Sequence, residues 1–514
     1  MSTSTMTKVF LFCPTTYTDI CNDLQTQNTY SQGPEMSSVD HVDFSALKPL
    51  LRAYALGYVT STGPRLFSFL RSLRRQKLST QENLDVLYTI LKTSTQPNRF
   101  PTAAAIIVGG ATALPRLVRA ILQRVLSIYS KGSLRLSDSL ARRVQFICSL
   151  LSAWLAFDLL NRDENWIRKR GVSSLESPNK HHLPPPGYHP QYAGKTSNFT
   201  LFALCRALDI IIISAWTRTR SKSWHPEQRS PGLANAIRKL ADPTIFAASA
   251  AIIMWSWFYA PDRLPREYNQ WISKVADIDS RLIEALRLAR RGEFVYGEDT
   301  GKAQLLQPMC RELDLPEVYA DPTKTIPIPC ELYHSGTGKS CEVPAASRFW
   351  RSWKFAMEIY IPLQLLARIR SPNIKSALEG LKAAARSSSF LAAYTALVYY
   401  GICLARTRLG PKVFSRKTVT PQMWDSGLCV LAGCLACGWS ILLEKPSRRQ
   451  EVAFFVAPRA LATLLPRVYD RQYRIREQAV FATSVALVLT TLKAGNERNV
   501  RGVLGRVLGS VMRE

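Results

Sequence analysis

The chain reads as an all-α, polytopic helical membrane protein made of two tandem repeats of about five apolar helices each. Three observations predict this. Apolar runs recur along the 514 residues at 50–70, 102–123, 145–160, 199–216 and 244–260, then at 353–369, 389–406, 427–443, 451–466 and 478–492. The second set keeps the first set's awkward residues: Cys148 answers to Cys429, Arg206 to Arg459, and FAASA (246–250) to FATSV (481–485). The offset between partners falls from 281 to 253 to 235, so residues are missing between the runs rather than inside them, as in a chain of fixed spans and variable loops.

Residues 1–45 form a polar tail in which Lys8 is the only Lys or Arg before residue 41, and VFLFC (9–13) is too short for a signal core. Internal spans are therefore expected to direct insertion. The first membrane repeat is placed at 46–280, a linker with a Cys/His segment at 281–345, and the second repeat at 346–514. A spanning helix needs about 20 apolar residues, and several runs sit at or below that length. The runs 244–260 and 427–443 carry no charged residue and no polar stripe at helical spacing, which a helix on the surface of a soluble protein would show. Run 50–70 is the weakest, because Thr60, Ser61, Thr62, Gly63, Pro64 and Arg65 interrupt it. If all ten runs cross, five per repeat is odd and the repeats enter from opposite faces, the inverted arrangement of many transporters.

Two stretches between runs read as loops. Residues 161–198 end in SPNKHHLPPPGYHP, whose prolines cannot continue a helix. The polar stretch 262–345 contains SRLIEALRLARRGEF (280–294), an amphipathic helix suited to a membrane surface or to an ordinary solvated linker.

Lys and Arg total 67 against 38 acidic residues, a formal charge of +29. The cations cluster just outside the runs, as at Arg142 and Arg143, Arg168 to Arg170, and Arg448 and Arg449, where they anchor helices at headgroups. No zinc-finger, RNA-binding or basic-zipper pattern accompanies the charge, so membrane lipids rather than nucleic acid are the expected partner. A mean hydropathy of −0.05 keeps a soluble basic helical scaffold as an alternative.

Charges inside apolar helices are costly and mark function or packing. Arg206 and Asp209 stand three apart, on one helical face where they can neutralise each other, while Arg459 has no local acid. Small residues at Gly109, Gly110, Gly433, Gly438, Gly505 and Gly509 favour close helix packing. Six of the 11 cysteines lie in apolar runs, where they behave as small hydrophobes, and the CxxC of Cys434 and Cys437 reads the same way. Cys330, His334 and Cys341 gather two thiols and an imidazole in twelve residues, with Cys310 upstream, so zinc is the one cofactor the sequence suggests. HSGTGKSC ends like a phosphate-binding loop, but Tyr333 occupies the position where that loop needs glycine. No hydrolase, metalloprotease or dinucleotide motif is present, which disfavours an enzyme.

PCELYHSGTGKSC (329–341), EIYIPLQLLARI (358–369), SSSFLAAYTALVYYGICLARTRLG (387–410) and LLEKPSRRQEVAFF (442–455) resemble the Cys-rich start and first membrane half of the transmembrane protein 135 family. SAWLAFDLL, CRALDIII and APDRLPREYNQW (260–271) are more weakly similar to its other half. The order of the halves looks exchanged, and Ser335 stands where the family has proline after the histidine. The resemblance implies a protein of the peroxisomal membrane, with mitochondria as the alternative, acting in organelle organisation and lipid homeostasis. Organelle-division or peroxisome-biogenesis proteins would be its partners, and a homo-oligomer is compatible. The competing expectation is a carrier or pore for lipid or metabolite anions through Arg206 and Arg459.

Overall fold

The computed structural model describes residues 47–73, 80–129, 137–162, 196–222, 231–368, 373–415, 417–465, 473–495 and 500–513. The polar tail and nearly all of loop 161–198 lie outside them. The described residues are helical and contain no strand. The longer helices are α1 (Lys48–Leu73), α2 (Thr80–Ser94), α3 (Phe100–Thr112), α4 (Leu114–Tyr129), α5 (Asp138–Leu160), α6 (Ser197–Lys222), α7 (Pro231–Tyr259), α8 (Arg266–Ala276), α9 (Ser280–Arg291), α10 (Glu342–Ala367), α11 (Ile374–Cys403), α12 (Cys429–Cys437), α13 (Pro446–Leu464), α14 (Tyr473–Lys493) and α15 (Gly502–Met512).

Seven stretches among the described residues are long and apolar enough to cross a membrane: Phe100–Val125, Asp138–Leu160, Ser197–Arg218, Lys239–Tyr259, Ile374–Val413, Pro421–Leu443 and Tyr473–Lys493. Of the ten runs expected, those on α1, α10 and α13 fall short. The cause is compositional: Arg52 and Arg65 on α1, Arg348, Arg351, Lys354 and Glu358 on α10, and Arg448, Arg449, Glu451 and Arg459 on α13 raise the transfer cost.

Two of the helices that qualify, α5 and α6, turn large apolar residues outward, inside out relative to a soluble protein. α5 buries Ser149, Ser152, Ala153 and Ala156 and exposes Ile147, Leu151 and Leu155, with Ala156 at 0 % exposure beside Leu155 at 61 %. The small residues allow helices to approach, and the large apolar ones form an outward stripe that water would penalise by about 25 cal/mol per Å² and lipid would not. α6 repeats the pattern with Leu208, Ile211 and Ile212 outward.

The chain forms two compact units. One comprises residues up to Pro226 together with Pro466–Glu514, and the other comprises Glu227–Leu465. In the first unit α1 packs on α3, α3 on α5, and α14 on both α5 and α6. Phe157 meets Phe481 with ring centroids 5.6 Å apart. In the second unit α10 packs on α11, α11 on α12, and α7 on both α12 and α13.

Residues 261–345 are built into the second unit and contribute Leu264, Leu282, Phe294, Leu306, Met309 and Leu332 to its core. α9 is capped by Asp279, whose side chain accepts from the Arg281 N–H, and it ends at Gly292 with φ 77°, a left-handed turn that glycine adopts freely. Its apolar face of Leu282, Ile283, Leu286 and Ala289 packs with Phe258, Phe294, Leu306 and Met309. Sequence periodicity suggested a membrane-surface or solvated helix. Instead protein covers that face: the helix packs against Trp424–Leu428 and α7, and its apolar residues share one buried cluster with residues of the short turns at 302–333.

Candidate functional site

Two buried constellations lie at one end of the α11–α12 pair. After α11 the chain makes a π turn at Leu404–Arg408, a widening by one residue that is common at functional sites. Before α12 the chain kinks within Trp424–Leu428, where Gly427 leaves helical geometry at φ 151°. The turn and the kink aim Arg406 and Asp425 at each other. Arg406 Nε donates to Asp425 Oδ1 at 2.5 Å and Nη2 to Oδ2 at 2.8 Å, with side chains 2 % and 1 % exposed. The Tyr296 hydroxyl donates to the same carboxylate and accepts from the Ile328 N–H at 3.1 Å. Burial, reinforced by that carboxylate, holds the Tyr296 phenol well above its usual pKa, so it stays a donor. The Arg406 guanidinium lies 4.4 Å from the Tyr333 ring centroid. The pair therefore clamps two candidate spans together and ties residues 292–333 to them.

The second constellation holds the metal candidates. Cys330 opens the short turn Cys330–Tyr333, His334 ends it, and Cys341 precedes α10. Their ligand atoms all lie within 4.8 Å of one another. His334 and Cys341 are buried and Cys330 is half-buried. The HSGTGKSC loop turns back through left-handed residues at Ser335 (φ 53°), Gly336 (φ 75°) and Gly338 (φ 100°). The turn brings the Gly338 carbonyl to 2.8 Å from His334 Nδ1. A carbonyl only accepts, so Nδ1 donates to it, and Nε2 is the ring nitrogen turned toward the cysteines. Cys403, the last residue of α11, places its Sγ 3.4 Å from that Nε2. Cys310, the upstream thiol considered from sequence, is buried elsewhere in the core and is not part of the group. A cavity of about 20 Å³ adjoins the cluster, lined by Tyr333, His334, Cys341, Arg348 and Cys403 among others, room for one water-sized body.

The first unit holds the intramembrane charges singled out from sequence. Arg206 and Asp209 are both buried on α6. Arg501, just before α15, joins them: its side chain grips the Asp209 carboxylate, and its backbone carbonyl accepts from Arg206 Nη1 at 3.2 Å. The Arg206 guanidinium also lies 5.4 Å from the Phe202 ring centroid. In the second unit Arg459 donates to the Phe455 carbonyl and stacks 3.7 Å from that ring's centroid.

Four of the six glycines, Gly109, Gly110, Gly433 and Gly438, stand at close approaches to another helix. A Cβ on Gly110 would lie 1.8 Å from Ser152 Oγ, and one on Gly438 would lie 2.4 Å from the Ala247 Cα. Gly109 faces Leu50, Gly433 faces the Val398 carbonyl, and Gly505 and Gly509 are buried in α15. Cys434 and Cys437 are buried in α12, where the Cys437 thiol donates to the Cys434 carbonyl at 3.2 Å.

Arg406, Asp425, Arg501 and Cys403 were missed by reading along the sequence. The first two had a signal: opposite charges at the facing ends of consecutive apolar runs. Cys403 had none, because a thiol in an apolar run reads as packing. No protein-family model, no curated protein and no solved structure matches the chain.

Proposed function

We propose that the chain is an integral protein of the peroxisomal membrane, with the mitochondrial membrane as the alternative, that acts in membrane organisation and lipid homeostasis without turning over a substrate. The observation that carries this reading is the use made of the charges in and beside apolar helices. Arg406 is bound to Asp425, Arg501 to Asp209, and Arg206 and Arg459 donate to backbone carbonyls. A carrier for anions would keep cations facing a path, whereas these sit in bonds between or within helices. The ordered segment 261–345, built into the second unit, is the recruiting surface in this reading, and organelle-division or peroxisome-biogenesis proteins are its partners.

The duplication read in the sequence belongs to the same proposal. Its support is the matching order of neighbours: α1, α3, α5, α14 and α6 in one unit follow the same sequence of contacts as α10, α11, α12, α7 and α13 in the other. Each unit takes its fifth helix from the opposite half of the chain, so the two repeats would be linked by exchange of their last helices.

The test expresses the full chain in cells lacking it, extracts membranes with carbonate, and scores organelle shape. Retention in the carbonate pellet, rescue by Arg206→Met and Arg459→Met chains, and failure of a chain with residues 292–333 replaced are expected. Release by carbonate would favour the soluble scaffold. Loss of anion flux in liposomes on replacing both arginines would favour the carrier.

A further inference from the structure

We infer that Cys330, His334, Cys341 and Cys403 form a closed Cys₃His zinc site that staples the segment before α10 to the end of the α11 span. The proposal stands on geometry independent of the membrane role. Zinc held tetrahedrally at about 2.3 Å from sulfur and about 2.0 Å from nitrogen sets neighbouring ligand atoms about 3.5 to 3.8 Å apart. His334 Nε2 and Cys403 Sγ stand at 3.4 Å, the length of one edge of such a tetrahedron, and the ligand atoms of Cys330, His334 and Cys341 lie within 4.8 Å of one another. The imidazole is already set for a metal. Its Nδ1–H is spent on the Gly338 carbonyl, the outer bond that metal-bound histidines characteristically make, and its Nε2 faces the Cys403 thiol.

The spacing fits no finger pattern because the fourth ligand comes from a distant helix. Three ligands arrive within residues 330–341, while Cys403 comes from the C-terminal end of α11, 62 positions beyond Cys341. Four protein ligands leave no open position, which assigns a structural rather than a catalytic ion. Binding converts three thiols to thiolates, releases three protons to solvent and leaves a site of net charge −1. The neighbouring cavity of about 20 Å³ admits a water and not a metabolite, in keeping with a closed centre.

The test uses the full chain purified in detergent under reducing, anaerobic conditions. About one zinc per chain is expected, with X-ray absorption at the zinc edge reporting three sulfur ligands and one nitrogen. Cys403→Ser should lower zinc affinity by at least about 100-fold, the upper end of what loss of an outer-shell partner costs. Cys310→Ser should leave it unchanged. The absorption spectrum of the wild-type chain decides the ligand count even if Cys403→Ser misfolds. A metal-free chain that fails to take up added zinc, two sulfurs in the ligand shell, a Cys403→Ser chain of unaltered affinity, or a disulfide among these cysteines would each overturn the assignment.

Discussion

Arg406 and Asp425, nineteen positions apart, meet as a two-bond ion pair buried from solvent on both sides, Arg406 carried on a π turn and Asp425 at a kink. The Tyr296 hydroxyl takes a further site on the carboxylate. A pair so enclosed is costly to break from one side, because the survivor is left charged and unpaired.

Asp425→Asn and Arg406→Met should each destabilise the second unit by about 3 to 5 kcal/mol. The double variant should recover much of that loss, since no lone charge remains. Thermal unfolding in detergent measures the cycle, and simple addition of the two single losses would refute the coupling.

Gly438→Ala places a methyl 2.4 Å from the Ala247 backbone, which has no flexible end to swing away. The α7–α12 contact should open at a cost of about 1 to 3 kcal/mol. Gly63→Ala, on α1 with nothing within 4 Å of the new carbon, should be neutral or gain about 0.5 to 1 kcal/mol. Equal effects at both positions would show that Gly438 is not a close contact.

Among the described residues the candidate spans before residue 260 number four, an even count that excludes α1, and the second half likewise has no qualifying span on α10. Matched loops of the two halves are therefore expected on the same face. Single cysteines at Ser137 and Ser415, in a cysteine-free chain in sealed organelles, should label from one side. Labelling from opposite sides would restore the inverted arrangement and strengthen the carrier reading.

Asp279 is held below the usual carboxylate range chiefly by hydrogen bonds from the Arg281 side chain, which also bonds Glu312. A depressed folded value means the stabilisation is complete above the unfolded value, about 3.9, and is lost as pH falls through the folded one. Asp279→Ala should cost about 1 kcal/mol near neutrality through loss of the helix cap. The gap to wild type should close as pH drops below about 4. A gap independent of pH would remove the ionised carboxylate from the account.

Reading the chain located its helices well and its sites unevenly. The apolar runs at 102–123, 145–160, 199–216, 244–260, 389–406, 427–443 and 478–492 each fall within a candidate span, because hydropathy is a local property summed over consecutive residues. Cys330, His334 and Cys341 were legible for a similar reason: one short segment carries all three. Arg206 and Asp209 were legible as buried charges, yet Arg501, which grips Asp209, follows 292 positions later. α9 was legible as amphipathic, while what covers its apolar face was not.

By itself, then, the sequence determined an all-helical chain with several apolar helices, cations at their ends, small residues at their contacts and a compact Cys/His segment. Only the tertiary structure decided that α14 packs with α5 and α6, that Cys403 approaches His334, and that Arg406 closes on Asp425. The physical reason is that periodicity and composition constrain neighbours within a few helical turns. A contact across tens or hundreds of residues is chosen by which helix faces interdigitate, and that information is spread over all the packed side chains together.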